Sequence, residues 1–419
     1  MRILWVTNLP PDTISKELKM PINNGGGWIS QMSAMVSREH DLTIAFATNS
    51  HNEIIEGKTG GIHYIGFPFI KKVHKEENEQ VNSFITLIKK INPDLIQIWG
   101  TEYVHAYLMF QACCRLKLLD RTLVYIQGLV SECQKVYWCY IDGIAPKIPT
   151  IKDFIRRSGP FYEYKDFIYR SEYEISILRR AKHVIGRTKW DRECVESLNP
   201  SVNYHVCNET LRKEFYQGKW TLSNCCSHRI FVSQGNYPLK GLHLALEGLR
   251  QLVDYYPDII LACTGKDRCH PDLRMRIRES SYDRYIRKLI HRYGLEKHVV
   301  FTGYLNAEEM KSQYLMANVF LSASSIENSS NSISEAMILG TPVISSDVGG
   351  VKDVLRDGRE GLLYRVNCIS DMTKCIKRLF DDEEYTRYLS SEAQRRAEYT
   401  NNPNENYRTL MEIYASLFS

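Results

Sequence analysis

The chain has 419 residues, of which 43% are hydrophobic and 25% are charged. This length exceeds one ordinary core and indicates two domains, and the composition is typical of a globular rather than a disordered protein. The net charge of +5 permits attraction to anionic membranes or phosphate-rich ligands without requiring either. No apolar run approaches the roughly 18–20 residues that cross a bilayer, so we expect a protein that does not span a membrane.

The twelve cysteines form no CxxC motif, although Cys113-Cys114 and Cys225-Cys226 are adjacent pairs. Near the start only Ile3 to Val6 is apolar, so no secretory signal is expected. We therefore expect reduced thiols in a cytoplasmic protein, and neither a disulfide framework nor a metal site.

Strand and helix patterns alternate in the first half of the sequence. The predicted strands are 2–7, 42–47, 61–67, 94–100 and 123–128, and HVIGRTKWD (183–191) adds a strand and a helix start. Helical spacing follows residue 28 and recurs at 83–91 and from Thr101, a candidate N-cap. This alternation predicts a parallel α/β sheet, whose ligands lie beyond the carboxyl ends of the strands, where Gln127 is placed.

A glycine loop, Gly25-Gly26-Gly27, lies between the first strand and the first long helix. This order brings bare backbone close to a ligand at a helix start, and makes Gly26 and Gly27 candidate ligand-binding residues. The loop does not match GxGxxG, and its other interpretation is a tight turn without a ligand.

Residues 129–181 interrupt the alternation with many aromatic side chains interleaved with lysine and arginine. One interpretation is an interfacial or acceptor-binding surface. The other is a set of helices that pack on the sheet and keep their charges in solvent. Five acidic residues within 152–174 dilute the positive charge and argue against nucleic acid as a partner.

A second series begins after a polar connection at 208–228. Its predicted strands are 229–235, 259–266, 298–305, 319–324 and 343–346, and its predicted helices are 242–256, 286–295 and 307–317. We therefore predict an N-terminal domain over 1–215, including the insertion 129–181, and a C-terminal domain over 216–400. The amphipathic segment 405–418 predicts a helix within 401–419 that crosses back to the first domain.

The stretch from Glu327 to Gly350 combines two carboxylates, a polar loop and a helix start. Glu327 and Glu335 are separated by seven residues, and Gly340 followed by Pro342 ends a helix. The small polar residues before that helix lie at its positively polarised N-terminus, which favours anion binding.

Together with Lys240-Gly241, the segments EAMILGTPVISSDVGG (335–350) and GREGLL (358–363) resemble retaining nucleotide-sugar glycosyltransferases of the GT-B fold, family 4. The resemblance covers the second domain, and the first more loosely. It implies an α/β protein with two Rossmann-like parallel-sheet domains that face a central cleft.

The resemblance also implies roles for individual residues. Glu327 would contact the donor sugar, Glu335 the ribose, and Lys240 the charge that grows on the leaving diphosphate. The other donor-binding residues it implies are Asn236, Gly265, Lys266, Tyr304, Leu305, Asn328, Ser329, Ser330, Asn331 and Ser332. Two alternatives stay open: Ser332 and Glu335 fit a capping box, and Lys240 fits a solvated loop lysine.

The chain departs from the family pattern at three places. Gly235 to Leu239 lacks the arginine that many relatives carry before the lysine, so phosphate binding would rest on Lys240, on backbone amides or on an arginine from elsewhere. Gln127 stands where several relatives have a histidine that contacts the donor sugar, and we assign it a catalytic role. His105 is a candidate acceptor residue or a structural histidine. The loop 328–331 replaces the more usual Gly-Phe-Gly.

The resemblance implies transfer of a hexose or N-acetylhexosamine from a UDP- or GDP-sugar to a hydroxyl of a carbohydrate or lipid-linked acceptor. Anomeric configuration would be retained, and neither a metal nor a cofactor would be required. The setting would be surface polysaccharide or glycolipid assembly, in the cytoplasm or peripherally on the inner face of the membrane. The alternatives are a nucleotide-sugar epimerase of the same fold and a donor-binding protein without turnover. A dinucleotide-dependent oxidoreductase would need a GxGxxG turn, which the sequence lacks.

Overall fold

The computed structural model describes residues 1–21, 27–48, 54–70, 73 and 77–418. The chain divides into two compact units. The first unit consists of Met1–Ser131, Tyr169–Arg212 and Thr400–Ser419, and the second of Glu132–Ile168 and Lys213–Tyr399.

The strands of the described residues are, in chain order, β1 (Arg2–Thr7), β2 (Asp41–Thr48), β3 (Ile55–Thr59), β4 (Ile62–Pro68), β5 (Leu95–Trp99), β6 (Thr122–Tyr125), β7 (His183–Gly186), β8 (Asn203–Val206), β9 (Arg229–Val232), β10 (Ile260–Cys263), β11 (Val299–Phe301), β12 (Val319–Ser322), β13 (Val343–Ser346) and β14 (Leu362–Tyr364).

The α-helices of the same residues are α1 (Asp12–Glu17), α2 (Gly27–Glu39), α3 (Glu77–Ile91), α4 (Val104–Arg115), α5 (Val130–Val136), α6 (Ile151–Arg156), α7 (Pro160–Leu178), α8 (Lys189–Leu198), α9 (Leu242–Leu252), α10 (Leu273–Ile277), α11 (Ser281–Tyr293), α12 (Ala307–Met316), α13 (Asn331–Leu339), α14 (Val351–Val354), α15 (Ile369–Asp381), α16 (Glu383–Thr400) and α17 (Pro403–Ser416).

The first unit contains a sheet of eight described strands in the order β3-β4-β2-β1-β5-β6-β7-β8. Only the pairing of β3 with β4 is antiparallel among these strands. All five residues of β5 are buried, as expected for a central parallel strand that is covered on both faces. The carboxyl ends of β1, β5 and β6 therefore meet at one edge of this sheet.

The second unit contains a sheet of six described strands, all parallel, in the order β11-β10-β9-β12-β13-β14. The first strand of this unit, β9, lies between β10 and β12, so the order reverses there. Ligands of open α/β sheets bind outside the carboxyl ends of the strands at such a reversal. The sequence prediction of an α/β protein with two parallel sheets is confirmed.

Residues 132–168 group with the second unit, although we predicted the insertion 129–181 to be part of the first domain. Ile141 is buried in the core of the second unit, and Asp153 Oδ2 accepts a hydrogen bond of 2.9 Å from Ser281 N. The helical periodicity of this segment predicts its local structure but carries no information on which distant sheet covers it, so the prediction was wrong here.

The last helix, α17, belongs to the first unit. Tyr414 accepts a hydrogen bond of 2.9 Å from Trp5 Nε1 of β1, and its hydroxyl donates to Gln97 of β5. Leu410, which is also buried, packs in the same core. The boundary between the two units at residues 399–400 therefore lies close to residue 401, where the predicted C-terminal segment starts.

Two local predictions were wrong. The N-cap of α4 is Tyr103, whose side chain makes no capping hydrogen bond to the helix, and the predicted cap Thr101 instead donates from Oγ1 to Glu174 Oε2 at 3.2 Å. Glu174 lies 73 residues away, so a local pattern gives no sign of this contact. The sequence patterns also missed the hairpin partner β3, which pairs with β4 through a turn at Gly60 and Gly61.

Candidate active site

Lys240 and Glu327 form an ion pair at the carboxyl edge of the second sheet, in loops that follow β9 and β12. Lys240 Nζ lies 2.5 Å from Glu327 Oε1, and the two side chains are 20% and 12% exposed. Ser324 Oγ donates a second hydrogen bond of 2.6 Å to the same carboxylate oxygen. Lys240 is therefore not a solvated loop lysine, and two residues that the resemblance assigned to the donor are brought together.

The backbone around this pair is held by two glycines that no other residue could replace without strain. Gly349 has φ +52°, and a Cβ there would lie 2.0 Å from the carbonyl oxygen of Glu327. Gly241 has φ +66°, and a Cβ there would lie 1.8 Å from the carbonyl oxygen of Ala323. Gly350 N also donates to Glu327 O at 3.0 Å. The two loops are thus fixed in place by close backbone contacts.

Lys240 is positioned to keep its charge. Burial by itself would lower the pKa of the Lys240 ammonium, but the carboxylate of Glu327 and the nearby Tyr237 raise that pKa above its ordinary value. A fixed ammonium in a partly dehydrated loop is a strong partner for an anionic ligand.

Glu335 lies inside α13 rather than in a cap. The N-cap is Ser330, without a side-chain bond, so Asn331 and Ser332 are the first residues of the helix and the capping-box alternative is wrong. The Glu335 carboxylate is buried and accepts a hydrogen bond of 3.2 Å from Tyr314 Oη. The polar loop before the helix holds two buried residues, Asn328 and Ser330, and the half-buried Ser329.

A second polar cluster lies beyond β10, where Gly265 has φ +110°. A Cβ at Gly265 would lie 2.6 Å from Asn236 Oδ1, so the glycine lets the Asn236 side chain approach the backbone. Lys266 Nζ lies 2.5 Å from Asp283 Oδ2. Three residues predicted to bind the donor are therefore close together here.

Arg268 completes this cluster and was missed by the sequence analysis. Its Nη2 donates to Asn236 Oδ1 at 3.0 Å, and its Nε donates to Asp283 Oδ1 at 2.9 Å. Its buried Nη1 has no hydrogen-bond partner among the described residues. The only signal in the sequence is an arginine shortly after a predicted strand end.

Asp283 holds the two cations of this cluster. Burial alone would raise the pKa of its carboxyl, but Arg268 and Lys266 lower it to about 2. Asp283 is therefore ionised at neutral pH, and it also closes a capping box with Ser280 at the start of α11. Tyr304 and Leu305 follow Gly303, whose carbonyl accepts a bond of 2.8 Å from Gly265 N, and the Tyr304 side chain is largely exposed.

The first unit carries a cavity of 410 Å³ at the carboxyl ends of β1, β5 and β6. The indole rings of Trp28 and Trp99 line it, with their centroids 4.7 Å apart, and Gln127 and His105 reach it as well. Gly27 begins α2, next to this lining, whereas Gly26 lies outside the described residues.

Gln127 is oriented by a buried ion pair that the sequence analysis missed. Its Nε2 donates to Glu209 Oε1 at 2.8 Å, and the other oxygen of that carboxylate lies 2.6 Å from Arg187 Nη1. Glu209 also accepts a bond from Asn401 at its backbone oxygen, 3.0 Å away. The amide of Gln127 is therefore fixed at the rim of the cavity.

Several buried polar atoms at this cavity lack a hydrogen-bond partner among the described residues. They are Asn8 Oδ1, Trp99 Nε1 and both ring nitrogens of His105. His105 is 1% exposed, and burial, with a smaller effect of Arg170, lowers its pKa to about 3. Buried polar groups without partners are costly, so this cluster matches a polar ligand.

No group of three His, Cys, Asp or Glu side chains in the described part of the chain is arranged to hold a metal ion. The twelve cysteines, all of which the structure describes, form no disulfide with one another.

Comparisons with known proteins place these sites in context. Residues 228–396 match the family described as glycosyl transferases group 1. The chain is similar to the protein YtcC of Bacillus subtilis, with 30% identity over 163 residues, which are 38% of each chain. The match thus spans about two fifths of that relative.

The fold is shared with solved glycosyltransferase structures. Sucrose-phosphate synthase from Thermosynechococcus elongatus gives a TM-score of 0.72 at 17% identity, with 100% of this chain and 99% of that chain covered. Anabaena HepE in complex with UDP and glucose gives 0.68 at 15% identity, with 99% and 100% covered. The fold is therefore GT-B, as the resemblance predicted, and residues 228–396 of the second unit match the glycosyl transferases group 1 family.

Proposed function

We propose that the chain is a retaining glycosyltransferase that moves a hexose or N-acetylhexosamine from a UDP- or GDP-sugar to a hydroxyl acceptor. The observation that carries this proposal is the fixed Lys240–Glu327 pair at the carboxyl edge of the second sheet. The UDP complexes of Anabaena HepE, a protein of the same fold, support a nucleotide sugar as donor.

The donor would bind to the second unit through three groups of residues. Glu327 accepts hydrogen bonds from sugar hydroxyls, and Lys240 supports the diphosphate. Arg268, whose Nη1 lacks a partner among the described residues, supplies the arginine that the 235–239 loop does not. Glu335 accepts a hydrogen bond from a ribose hydroxyl, and the loops at Gly265 and Tyr304 lie on either side of the base.

The acceptor would bind to the first unit, in the cavity lined by Trp28 and Trp99. Aromatic faces pack against sugar rings, and the unpartnered atoms of Asn8, Trp99 and His105 provide both donors and acceptors for hydroxyl groups. Gln127 would act at the rim of this cavity, held by Glu209. A carbohydrate or the sugar of a lipid-linked acceptor fits this lining.

The reaction we propose is a displacement on one face of the donor sugar. The bond from the anomeric carbon to the leaving phosphate oxygen breaks, and the bond to the acceptor oxygen forms on the same face. The leaving phosphate oxygen takes the proton of the acceptor hydroxyl. Lys240 stabilises the charge that grows on the diphosphate, a role that fixed cations perform in preorganised sites, so we propose that neither metal nor cofactor is required.

The setting we propose is surface polysaccharide or glycolipid assembly in the cytoplasm. The test is to incubate the full chain with a panel of UDP- and GDP-sugars, with and without saccharide acceptors, in the presence of EDTA. Nucleotide release and a new glycoside by mass spectrometry are the expected results, and donor binding should raise Tm.

Three outcomes distinguish the alternatives. A changed sugar nucleotide without any acceptor indicates an epimerase. A Tm shift without turnover for any donor and acceptor indicates a donor-binding protein. If no nucleotide sugar shifts Tm and none is turned over, the proposed function is wrong.

A further inference from the structure

The second unit exposes a group of large apolar side chains on the segment 144–157 and on α10. Each is more than half exposed to solvent; they are Ile144, Ile148, Ile151, Phe154, Ile155, Leu273 and Ile277. Isolated exposed apolar residues are common, but a concentration of this size marks an interaction site.

The two segments that carry these side chains are joined by hydrogen bonds. Thr150, the N-cap of α6, donates from Oγ1 to the carbonyl oxygen of Glu279 at 3.1 Å, just beyond the end of α10. Ser281 Oγ donates to Pro146 O at 2.7 Å. We call the exposed residues of 144–157 and 273–278 the α6–α10 surface.

The exposed charges on this surface are positive. Five arginines are exposed there: Arg156, Arg157, Arg274, Arg276 and Arg278. Asp153, the one acidic residue within these segments, is buried, and so is the adjacent Glu279, whereas Asp142 and Asp272 beside the segments are exposed. Glu279 in addition binds Arg287 through contacts of 2.7 and 2.9 Å. The surface therefore combines apolar side chains with a positive rim.

We propose that the α6–α10 surface docks the protein onto a bilayer that contains anionic phospholipids. Arginine attracts anionic headgroups, and apolar side chains enter the boundary between headgroups and acyl chains. The five exposed arginines give the surface a positive charge, and this charge complementarity favours an anionic bilayer as the partner. This inference concerns binding alone and does not depend on the proposed reaction.

The contact is at the membrane surface. No helix in the described ranges has the length and apolar character that a membrane span requires. Helices α6 and α10 have 6 and 5 residues, about the length of a shallow insertion into the interface.

The experiment is flotation of the full chain with vesicles of phosphatidylcholine alone and of phosphatidylcholine mixed with phosphatidylglycerol. The protein should float with the anionic vesicles, and high salt should weaken the binding. An equal recovery with both kinds of vesicle, or no recovery with either, would overturn the proposal.

Paired variants separate the apolar and basic contributions. Phe154→Ser with Ile155→Ser should lower the partition onto anionic vesicles by at least about tenfold. Tyr255→Ser with Tyr399→Ser removes two exposed side chains elsewhere on the second unit and should leave the partition unchanged. All four side chains are exposed, so the substitutions do not open the core.

The contribution of charge is tested with two double variants that change the net charge by the same amount. Arg156→Glu with Arg276→Glu should lower the partition by at least about tenfold, whereas Lys219→Glu with Lys297→Glu changes the net charge equally outside the surface and should have little effect. Equal losses in both pairs would show non-specific attraction and contradict the assignment. Light scattering tests whether the surface instead joins two copies of the chain. A dimer that forms with rising concentration, dissociates in the Phe154/Ile155 variant and does not bind vesicles would show such a contact and overturn the proposal.

Discussion

Lys240 and Glu327 are 87 residues apart in the sequence, yet Lys240 Nζ and Glu327 Oε1 lie 2.5 Å apart. The contact joins the loop after β9 to the loop after β12, two neighbouring parallel strands. A second link runs through the backbone, since Ser325 N donates to Leu239 O at 2.8 Å. The ion pair is therefore part of a continuous connection between the two loops that we assign to the donor.

The first prediction concerns the stability of this pair. Lys240→Met and Glu327→Gln each leave a partly buried group without its partner, and each should lower the free energy of unfolding by about 2–4 kcal/mol. The double variant removes both partners, and its loss of unfolding free energy should be smaller than the sum of the two single losses by about 1–3 kcal/mol. Urea unfolding at neutral pH measures the three variants, and simple additivity would show that the two residues are not coupled.

The second prediction concerns Gly349. Gly349→Ala places a Cβ 2.0 Å from Glu327 O in a left-handed conformation, so the loop must move. Gly294 has φ +65° but no atom within 4 Å of its Cβ position, so Gly294→Ala is a control for backbone strain alone. The control should cost about 1 kcal/mol of unfolding free energy and leave the transfer rate unchanged, whereas Gly349→Ala should cost more and lower the rate by at least about tenfold. Equal rates in the two variants would contradict this.

The third prediction concerns Arg268. Arg268→Met should weaken binding of UDP or GDP by roughly ten- to a hundredfold, because a charged hydrogen bond to the diphosphate is lost. Arg287→Met is a matched control, since it removes an arginine paired with Glu279 on the same unit. Calorimetric titration measures both affinities, and circular dichroism checks that both variants fold. An unchanged nucleotide affinity for Arg268→Met would remove this residue from the site.

The fourth prediction concerns pH and His105. Its pKa is lowered to about 3 in the folded chain by burial, against about 6.5 when unfolded. The unfolded chain binds the proton first, so this group contributes stability above pH 6.5 that is lost as the pH falls toward 3. Between pH 6.5 and 4.5, the wild type should lose about 2 kcal/mol more than His105→Gln. Urea unfolding at both pH values measures the difference, and parallel losses would show that His105 is protonated or solvated in the folded chain.

Much of the second unit could be predicted from the sequence because its strands are short apolar runs and its helices end at recognisable glycines. Gly340, for example, ends α13 in the left-handed conformation that its place before Pro342 predicts. The family motif predicted that Glu327 and Lys240 belong to one site, and the structure places their side chains in contact.

The rest depends on contacts that are distant in the sequence. Arg268 was missed because its partners Asn236 and Asp283 lie 32 and 15 residues away. Gln127 was predicted from its position at a strand end and from the family pattern, whereas the Glu209 carboxylate that orients it lies 82 residues further on. Residues 132–168 were placed in the wrong unit for the same reason, since amphipathic periodicity indicates that a face is buried but not against what.

The most direct test of the account is the rate of sugar transfer by Glu327→Gln under single-turnover conditions, with the donor that the panel identifies. We predict a fall of at least about a hundredfold, because the carboxylate acts on the reacting sugar. Affinity for the free nucleotide should be retained, since Lys240 keeps its charge. Transfer at the wild-type rate by this variant would contradict the assignment of the active site to the Lys240–Glu327 pair.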